Sequence, residues 1–398
     1  GGGGVTVLTP CPAAPGGAGT VHDKEVTADE TWTAAASPHK VTFGIRLLAT
    51  VTVEPCATVL VGDSYTITVG KSDVKGALVA KGERGVDASG APVRRPVTLG
   101  ALDPNKPWGS IRVDPGSRVD LEAAVLSDGA SPTSDQNGGG VVLAFGLGAD
   151  GQPVVKNVRA VDVTIERSRG YGMSFQQLAG FTDDSNGVTI KDGGRPEAPF
   201  PVRLAPGALS TLPAGLALSG NAADEVEILS GNTSMPSDTI KARGAPYRVS
   251  GRLRVAPHAD GPPSVLTIEP GVTLRFDTTS DSGLHVGTSD ARPGVLVATG
   301  TAAAPITFTS AKTPAAPGDW KNVYFAYSPA SGNSIQHAVI EYAGGFSGAQ
   351  GYGCGPADND ASVLILSGRP NDAFIQSTTF RSAGGDTGIV LGWTSDTA

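Results

Sequence analysis

The sequence predicts an all-β fold in which short strands wind into a parallel β-helix. Runs of alternating or wholly apolar residues recur at intervals of roughly seven to twelve residues and end at Gly, Pro, Asn or Asp. No helical segment long enough for a crossover lies between them, and the Asn-Gly or Asp-Gly turns of hairpins are scarce. A coil of about 20–25 residues that stacks each strand on its equivalent one turn later accounts for these observations.

A block of five strand-like runs occurs twice in the same order, which indicates an internal duplication. The offset between matching positions is nearly constant: Val53 matches Ile268 (268 − 53 = 215) and Trp108 matches Trp320 (320 − 108 = 212). The later block is the clearer one, and it reads LTIEPGVTLRF, GVLVATG, APITFTS, GDWKNVYF and NSIQHAVIEYAGG. The sequence therefore predicts two tandem, degenerate copies of about 210–215 residues each.

The predicted organisation has three parts. Residues 1–20 form a flexible leader, residues 21–237 the first β-helix copy with its connecting rungs, and residues 238–398 the second copy. The second copy stops at Ala398 in mid-pattern. We therefore expect either that the natural chain continues, or that a partner or a second copy of the chain covers this end by end-to-end association.

Composition narrows the classes of function. The net charge is −8 with a pI near 5.2 and no basic stripe, so a nucleic-acid role lacks an electrostatic basis. There is no apolar run long enough to cross a membrane. The chain lacks a starting Met and opens with Gly1 to Gly4, so we expect a removed export signal. This predicts an extracellular or outer-surface location, with a possible lipid anchor upstream of Gly1; a cloning remnant is the alternative.

The second block resembles the repeat of bacterial right-handed parallel β-helix surface proteins, including those of lipoprotein type. The shared elements are an EPG turn at 269–271, a GVLVATG rung at 294–300, the PITFTS rung, a GDW rung and the HAVIEYAG rung at 337–344. The first copy departs from this pattern because Cys56 replaces the turn glycine. The resemblance implies a right-handed β-helix. It implies two functional classes, namely surface or adhesive scaffolds and polysaccharide lyases or hydrolases.

The three cysteines leave two alternatives. Cys11 and Cys56 either form a disulfide that ties the leader to an early rung, contributing on the order of 3 kcal/mol, or remain two free thiols. Cys354 is left without an assigned partner.

Acidic side chains offer two kinds of site. Glu54 and Glu269 occupy the same turn in the two copies, so we expect a turn role, with each carboxylate facing solvent or a backbone N–H. Two loops before strands are rich in oxygen ligands that suit Ca²⁺, although Asp and Asn are also ordinary turn residues. The candidate Ca²⁺ ligands are Asp183, Asp184, Asn186, Asp358, Asn359 and Asp360.

Two Gly-rich loops, 131–140 and 345–360, are expected to project from the coil and to carry recognition. Phe346 and Tyr352 in the second loop are candidate contacts for sugar rings. The sequence thus predicts a non-enzymatic cell-surface scaffold that binds a polysaccharide or a surface protein. The alternative is a polysaccharide lyase or hydrolase with a groove along the coil. Such an enzyme needs acidic and basic side chains from neighbouring rungs to converge within a few ångströms.

Overall fold

The computed structural model is all-β and forms a parallel β-helix. Two compact units divide the chain: Gly1–Gly148, Pro153–Arg203 and Thr211–Glu225 make the first, and Ala149–Gln152, Leu204–Ser210 and Val226–Ala398 make the second. Short 3-10 helices span Ala34–Ala36 and Leu209–Thr211. The structure describes residues 6–13, 17–133, 139–147, 153–231, 234–279, 281–326, 329–347, 360–366, 370, 372–385 and 388–392.

The described part of the first unit contains three parallel ladders, which successive coils extend strand by strand. Ladder 1A contains β1 (Thr20–His22), β3 (His39–Val41), β6 (Thr58–Val61), β11 (Val97–Ala101), β14 (Ala124–Ser127), the end of β16 (Val155–Glu166), β19 (Asn186–Lys191) and β21 (Ala217–Ser219). Ladder 1B contains β4 (Ile45–Leu47), β7 (Ile67–Val69), β12 (Ile111–Val113), β15 (Gly140–Phe145), β17 (Tyr171–Gln176) and β20 (Val202–Leu204). Ladder 1C contains β2 (Glu30–Trp32), β5 (Thr50–Val53), β8 (Ala77–Lys81), β13 (Arg118–Glu122), the start of β16 and β18 (Ala179–Phe181). An antiparallel hairpin, β9 (Glu83–Val86) and β10 (Pro92–Arg95), lies between β8 and β11.

The described part of the second unit likewise contains three parallel ladders. Ladder 2A contains β22 (Val226–Ile228), β25 (Tyr247–Val249), β28 (Thr273–Phe276), β31 (Ile306–Ser310), β34 (Ala338–Glu341) and β37 (Thr379–Arg381). Ladder 2B contains β23 (Ser234–Met235), β26 (Arg252–Val255), β29 (Gly283–Val286), β32 (Val323–Phe325), β35 (Val363–Leu366) and β38 (Ile389–Gly392). Ladder 2C contains β24 (Asp238–Ile240), β27 (Ser264–Ile268), β30 (Gly294–Thr299), β33 (Ser334–Gln336) and β36 (Ile375–Gln376).

The coils vary in length more than the sequence pattern indicates. His39 pairs with Val59, a coil of 59 − 39 = 20 residues, but Ile67 pairs with Ile111, a coil of 111 − 67 = 44. The expected 20–25 residues per coil is therefore wrong for the longer coils. The β9–β10 hairpin lies inside the 44-residue coil, and the strands still stack in register because insertions enter at the turns.

The core consists of side chains that alternate inward along each strand. In ladder 1B, Ile45, Ile67 and Ile111 stack in register at 2 %, 0 % and 0 % exposure. The intervening positions, such as Arg46 and Thr68, face outward. Each buried aliphatic side chain contributes roughly 1.5–3 kcal/mol of transfer free energy, so stability accumulates coil by coil.

Equivalent contacts recur in the two copies. The Nε1–H of Trp108 donates to the Ser127 carbonyl at 2.7 Å, and that of Trp320 donates to the Glu341 carbonyl at 2.9 Å. The two acceptors are 341 − 127 = 214 residues apart, close to the offset of 212 between the tryptophans. Both indoles are buried, at 0 % and 1 % exposure. The tryptophans therefore have the same structural role in each copy.

The EP turns also repeat one contact, and the predicted turn role of both glutamates is confirmed. Glu54 Oε2 accepts a hydrogen bond from the Ala34 backbone N–H at 3.1 Å, and Glu269 Oε2 accepts one from Ala242 at 2.8 Å. Each carboxylate thus ties its turn to a backbone donor of the preceding coil.

The corners of the coil require left-handed backbone at matching positions. Ala123 (φ 43°) matches His337 (φ 46°), and Asp128 (φ 59°) matches Tyr342 (φ 60°), each pair 214 residues apart. Such dihedrals are uncommon for residues with a Cβ. Their recurrence shows that the corner geometry, and not the residue type, is kept between the copies.

Described residues of the leader are attached to the first unit. Cys11 and Cys56 are joined by a disulfide with their Cα atoms 5.5 Å apart. Val7 forms a parallel bridge to Val86 in β9, and the Leu8 N–H donates to the Val86 carbonyl at 2.7 Å. Cys354 lies outside the described residues.

Candidate functional site

The first predicted acidic loop follows β18, and its carboxylates are ion-paired. Asp183 contacts Lys156 Nζ at 2.6 Å, and Asp184 contacts Arg159 Nε at 2.6 Å. Hydrogen bonds from Arg159 and Thr182 hold the pKa of Asp184 below its usual value. A cation bound in this loop would have to compete with Lys156 and Arg159. Ca²⁺ binding here stays a prediction.

Of the other candidate Ca²⁺ ligands, Asn186 and Asp360 are among the described residues. Asn186 Nδ2 donates to the Asp184 carbonyl at 3.0 Å, and Asp360 Oδ1 accepts from the Ser347 backbone N–H at 2.7 Å. These are turn contacts. Asp358 and Asn359 lie outside the described residues. In the part of the chain that is described, no cluster of three or more His, Cys, Asp or Glu side chains has an arrangement that could hold a metal ion.

Charged side chains of four successive coils meet around Arg159 on the outer face of ladder 1C. The Arg159 guanidinium donates to Asp120 and Glu122 in β13 at 2.8 Å each, besides its bond to Asp184. Lys81 in β8 contacts the second oxygen of Asp120 at 2.7 Å. Burial lowers the pKa of Arg159, but the three carboxylates outweigh burial and raise it.

The β9–β10 hairpin extends this Arg159 network and balances its charge. Arg84 and Arg94, which pair across the hairpin, both contact Asp162 at the bend of β16, and Arg84 also approaches Glu122 at 3.8 Å. The network thus contains four cations and four acids: Lys81, Arg84, Arg94, Arg159, Asp120, Glu122, Asp162 and Asp184. Side chains do converge across coils, as a catalytic groove requires, but each carboxylate has a cationic partner. This arrangement favours holding coils together over proton transfer.

We expect Arg159→Met to lower the free energy of unfolding by about 1–3 kcal/mol, because three carboxylates would lose their shared cation. Urea unfolding at low and high salt measures the effect. High salt should reduce the loss, since it screens the remaining acid–acid repulsion. Arg46→Met is the matched control, because Arg46 also lies on a strand of this unit but forms an exposed 3.8 Å pair with Glu25. Equal losses in both variants would contradict a structural role for the network.

A separate part of the first unit places an exposed phenyl ring and a half-buried tyrosine beside hydroxyl groups, of which that of Ser131 belongs to a buried residue. Phe43 follows β3 and is 60 % exposed, and its ring centroid lies 5.5 Å from that of Tyr65 in the β6–β7 turn. Beside Tyr65, the Ser64 hydroxyl lies 2.9 Å from the Ser131 hydroxyl and 2.7 Å from the Thr133 hydroxyl. We call Phe43, Tyr65, Ser64, Ser131 and Thr133 the aromatic–hydroxyl surface.

Backbone hydrogen bonds between coils position this surface. The Ser64 N–H donates to the Pro107 carbonyl at 3.0 Å, and the Ser131 N–H donates to the Trp108 carbonyl at 2.9 Å. The Gly109 N–H donates to the Tyr65 carbonyl at 2.8 Å. A Cβ at Gly109 would lie 2.6 Å from that carbonyl oxygen, so the close approach requires glycine. The turns that carry Ser64, Tyr65 and Ser131 are therefore joined by hydrogen bonds to the segment 107–109.

The aromatic–hydroxyl surface contains residues of a predicted recognition loop and also residues that the sequence does not single out. Ser131 and Thr133 belong to the predicted recognition loop 131–140, whereas Phe43 and Tyr65 come from earlier turns. The signal for Phe43 is a large apolar residue two positions after Val41, the last residue of the strand, where a polar turn residue is expected. In the second loop, Phe346 is 61 % exposed. Tyr352 lies outside the described residues.

Charged neighbours border the aromatic–hydroxyl surface. The Ser64 hydroxyl donates to Asp63 at 2.9 Å, and Lys106 lies 4.0 Å from the same carboxylate. Aromatic faces next to a few directional polar groups are the usual means by which proteins hold a sugar, since the ring stacks on C–H groups and the polar atoms bind hydroxyls.

Comparison with known proteins identifies no relative. No family model, no curated protein and no solved structure matches the chain. Among the residues that the structure describes, no helix is long and apolar enough to span a bilayer.

Proposed function

We propose that this protein is a non-enzymatic recognition scaffold that binds glycan at the aromatic–hydroxyl surface. The observation that carries the proposal is the placement of Phe43, which is 60 % exposed and packed against Tyr65 beside three clustered hydroxyl groups. An exposed phenyl ring beside a second aromatic ring and directional polar groups offers a flat apolar face on which the C–H groups of a sugar can stack. The exposed Phe346 in the second unit suits the same role.

Export to the cell surface belongs to the same proposal. The Cys11–Cys56 disulfide supports it, because disulfides persist mainly in oxidising compartments. Insertions at the turns leave the strands in register, so loops there can present binding groups without disturbing the coils. A chain of stacked coils therefore also suits recognition at a surface.

The test is binding across a panel of neutral and acidic polysaccharides, with and without Ca²⁺, with the same samples assayed for new reducing or unsaturated ends. Binding without product supports the recognition scaffold. Product formation would contradict it and favour the alternative, a polysaccharide-active enzyme. The Arg159 network would then be the first place to mutate, because it is where acids and bases of neighbouring coils meet.

For a glycan that binds, Phe43→Ala should weaken affinity about 5- to 30-fold, as expected for an aromatic anchor. Titration calorimetry measures the change. Val74→Ala is the control, because Val74 is also an exposed apolar residue of the first unit, at 42 % exposure, but lies away from the hydroxyl cluster. Equal affinity of the Phe43→Ala variant and the original protein would exclude this surface as the binding site.

A further inference from the structure

A cavity of about 420 Å³ lies on the first unit, where the turns of successive coils enter ladder 1C. Asp29 precedes β2, Thr50 begins β5 and Arg118 begins β13. Thr50 pairs in register with Ala77, the first residue of β8, and Ala77 pairs with Arg118. The Thr50 N–H donates to Asp29 Oδ1 at 2.8 Å, which adds Asp29 to the same column. We call this cavity the entry cleft.

Small residues form the floor of the entry cleft. Gly76 and Ala77 line it and are buried. The neighbours of Ala77 in the column are the larger polar residues Thr50 and Arg118, so the short side chain of Ala77 leaves a gap between them. From Asp29 to Arg118 the cleft crosses three coil steps, which is about 14 Å at the usual spacing of strands.

Two cations line the entry cleft without a carboxylate partner. The side chains of Lys75 and Arg118 are exposed there, and neither forms an ion pair or a hydrogen bond with any residue that the structure describes. Lys75 lies along the next coil, since a Cβ built at Gly116 would lie 3.3 Å from Lys75 Cε. The other cations on the described strands of ladder 1C all contact a carboxylate; they are Lys81, Lys156 and Arg159. Like charges that share a cavity repel each other, and an anion between them would offset this repulsion.

The other end of the entry cleft offers hydrogen-bond acceptors. Asp29 Oδ1 is fixed by the Thr50 N–H, and Asp29 Oδ2 accepts no hydrogen bond from a described residue. An ionised carboxylate only accepts, so it suits the O–H of an alcohol, whereas lysine and arginine only donate. Their bonds to a carboxylate are charge-assisted and stronger than neutral ones. A ligand that fits both ends therefore carries a carboxylate at one end and hydroxyl groups at the other.

The strands beneath the entry cleft offer no backbone edge to an extended peptide. β5 pairs with β2 and β8, and β8 pairs with β5 and β13, so both edges of each strand are occupied. A peptide that binds to a sheet usually pairs with a free edge. The contacts available in the cleft are side-chain groups, which favours a sugar acid over an acidic peptide.

We propose that the entry cleft binds a sugar acid, with the carboxylate of the ligand at Lys75 and Arg118 and its hydroxyl groups at Asp29. The sugar acid is either free or a unit of an acidic polysaccharide. Only the second case rests on the glycan-recognition function proposed above. The cleft shares no residue with the aromatic–hydroxyl surface, so either site can fail without the other.

The experiment is a calorimetric titration with glucuronate, with acetate and with glucose at constant ionic strength. Glucuronate should bind about 10-fold more tightly than either of the others, because it alone satisfies both ends of the cleft. Arg118→Gln and Lys75→Gln should each weaken glucuronate binding about 10-fold or more, and Asp29→Asn should reduce the preference for glucuronate over acetate. Lys71→Gln is the matched control and should leave affinity unchanged. Lys71 is an exposed lysine of the same β7–β8 turn that likewise has no described partner, but it does not line the cleft.

Parallel titrations with a uronate oligosaccharide separate the two sources of the ligand. Tighter binding of the oligosaccharide than of glucuronate, with the gain lost in Arg118→Gln, identifies an acidic polysaccharide. Equal affinities for the two identify a free sugar acid. Lys75 and Arg118 are exposed, so both variants should fold, which thermal unfolding verifies; if one of them unfolds, the other decides.

Four results would overturn the proposal: no binding of glucuronate, acetate binding as tightly as glucuronate, a short glutamate peptide binding more tightly than the uronate oligosaccharide, or equal losses in Lys71→Gln. Phe43→Ala should leave glucuronate affinity unchanged, and a loss in that variant would place the ligand at the aromatic–hydroxyl surface instead. Failure at the entry cleft leaves the result of the polysaccharide panel with Phe43→Ala as it stands, so the two proposals are tested separately.

Discussion

Trp320→Ala is expected to lower the free energy of unfolding of the second unit by about 3–5 kcal/mol. The indole is 1 % exposed and stacks on Phe276, with ring centroids 4.2 Å apart and planes 10° apart. Its Nε1–H also satisfies the Glu341 carbonyl in the next coil, at 2.9 Å. Removing the ring therefore leaves a cavity, an unstacked phenyl group and an unpaired carbonyl together.

Urea unfolding followed by circular dichroism measures this loss, and Trp320→Phe separates its parts. Phenylalanine keeps a ring against Phe276 but cannot donate to the carbonyl, so we expect a smaller loss, nearer the 1–3 kcal/mol of an unsatisfied buried acceptor. Trp108→Ala tests the same position in the first unit. An unchanged urea midpoint for Trp320→Ala would show that the tryptophan does not hold the coils together.

The second large effect concerns the Cys11–Cys56 disulfide. Its removal by Cys11→Ser should lower the free energy of unfolding by about 4 kcal/mol, the loop-entropy value for a sequence separation of 45. The disulfide reduces the conformational entropy of the unfolded chain. It also keeps residues 6–13 beside β9, where Val86 pairs with Val7. Without it, the bridge between Val7 and Val86 and the burial of Leu8, which is 8 % exposed, would hold the segment.

Thermal or urea unfolding with and without reductant tests this prediction. The reductant should destabilise the original protein and a Cys354→Ser variant equally, and should have no effect on Cys11→Ser. Equal stability with and without reductant, in a sample shown by mass spectrometry to contain the disulfide, would contradict the prediction.

The groupings of the site residues arise from contacts between coils. Asp183 and Asp184 are recognisable in the sequence as adjacent acids, but their partners, Lys156 and Arg159, precede them by a full coil. The same holds for the aromatic–hydroxyl surface, where Phe43, Tyr65 and Ser131 come from three different turns. Spacing in sequence does not reveal such groupings, because coil lengths range from 19 residues (Thr20 to His39, 39 − 20) to 44 among the described pairings.

The sequence by itself determined the architecture and its repetition. Alternating apolar runs closed by turn residues specify strands whatever their neighbours, and the offsets near 214 already align Trp108 with Trp320 and Glu54 with Glu269. Only the tertiary structure decided which side chains share a face. Register between coils depends on where each insertion enters, and the charge balance around Arg159 arises from that register. Local patterns determine the strands, and stacking brings together the groups available for binding.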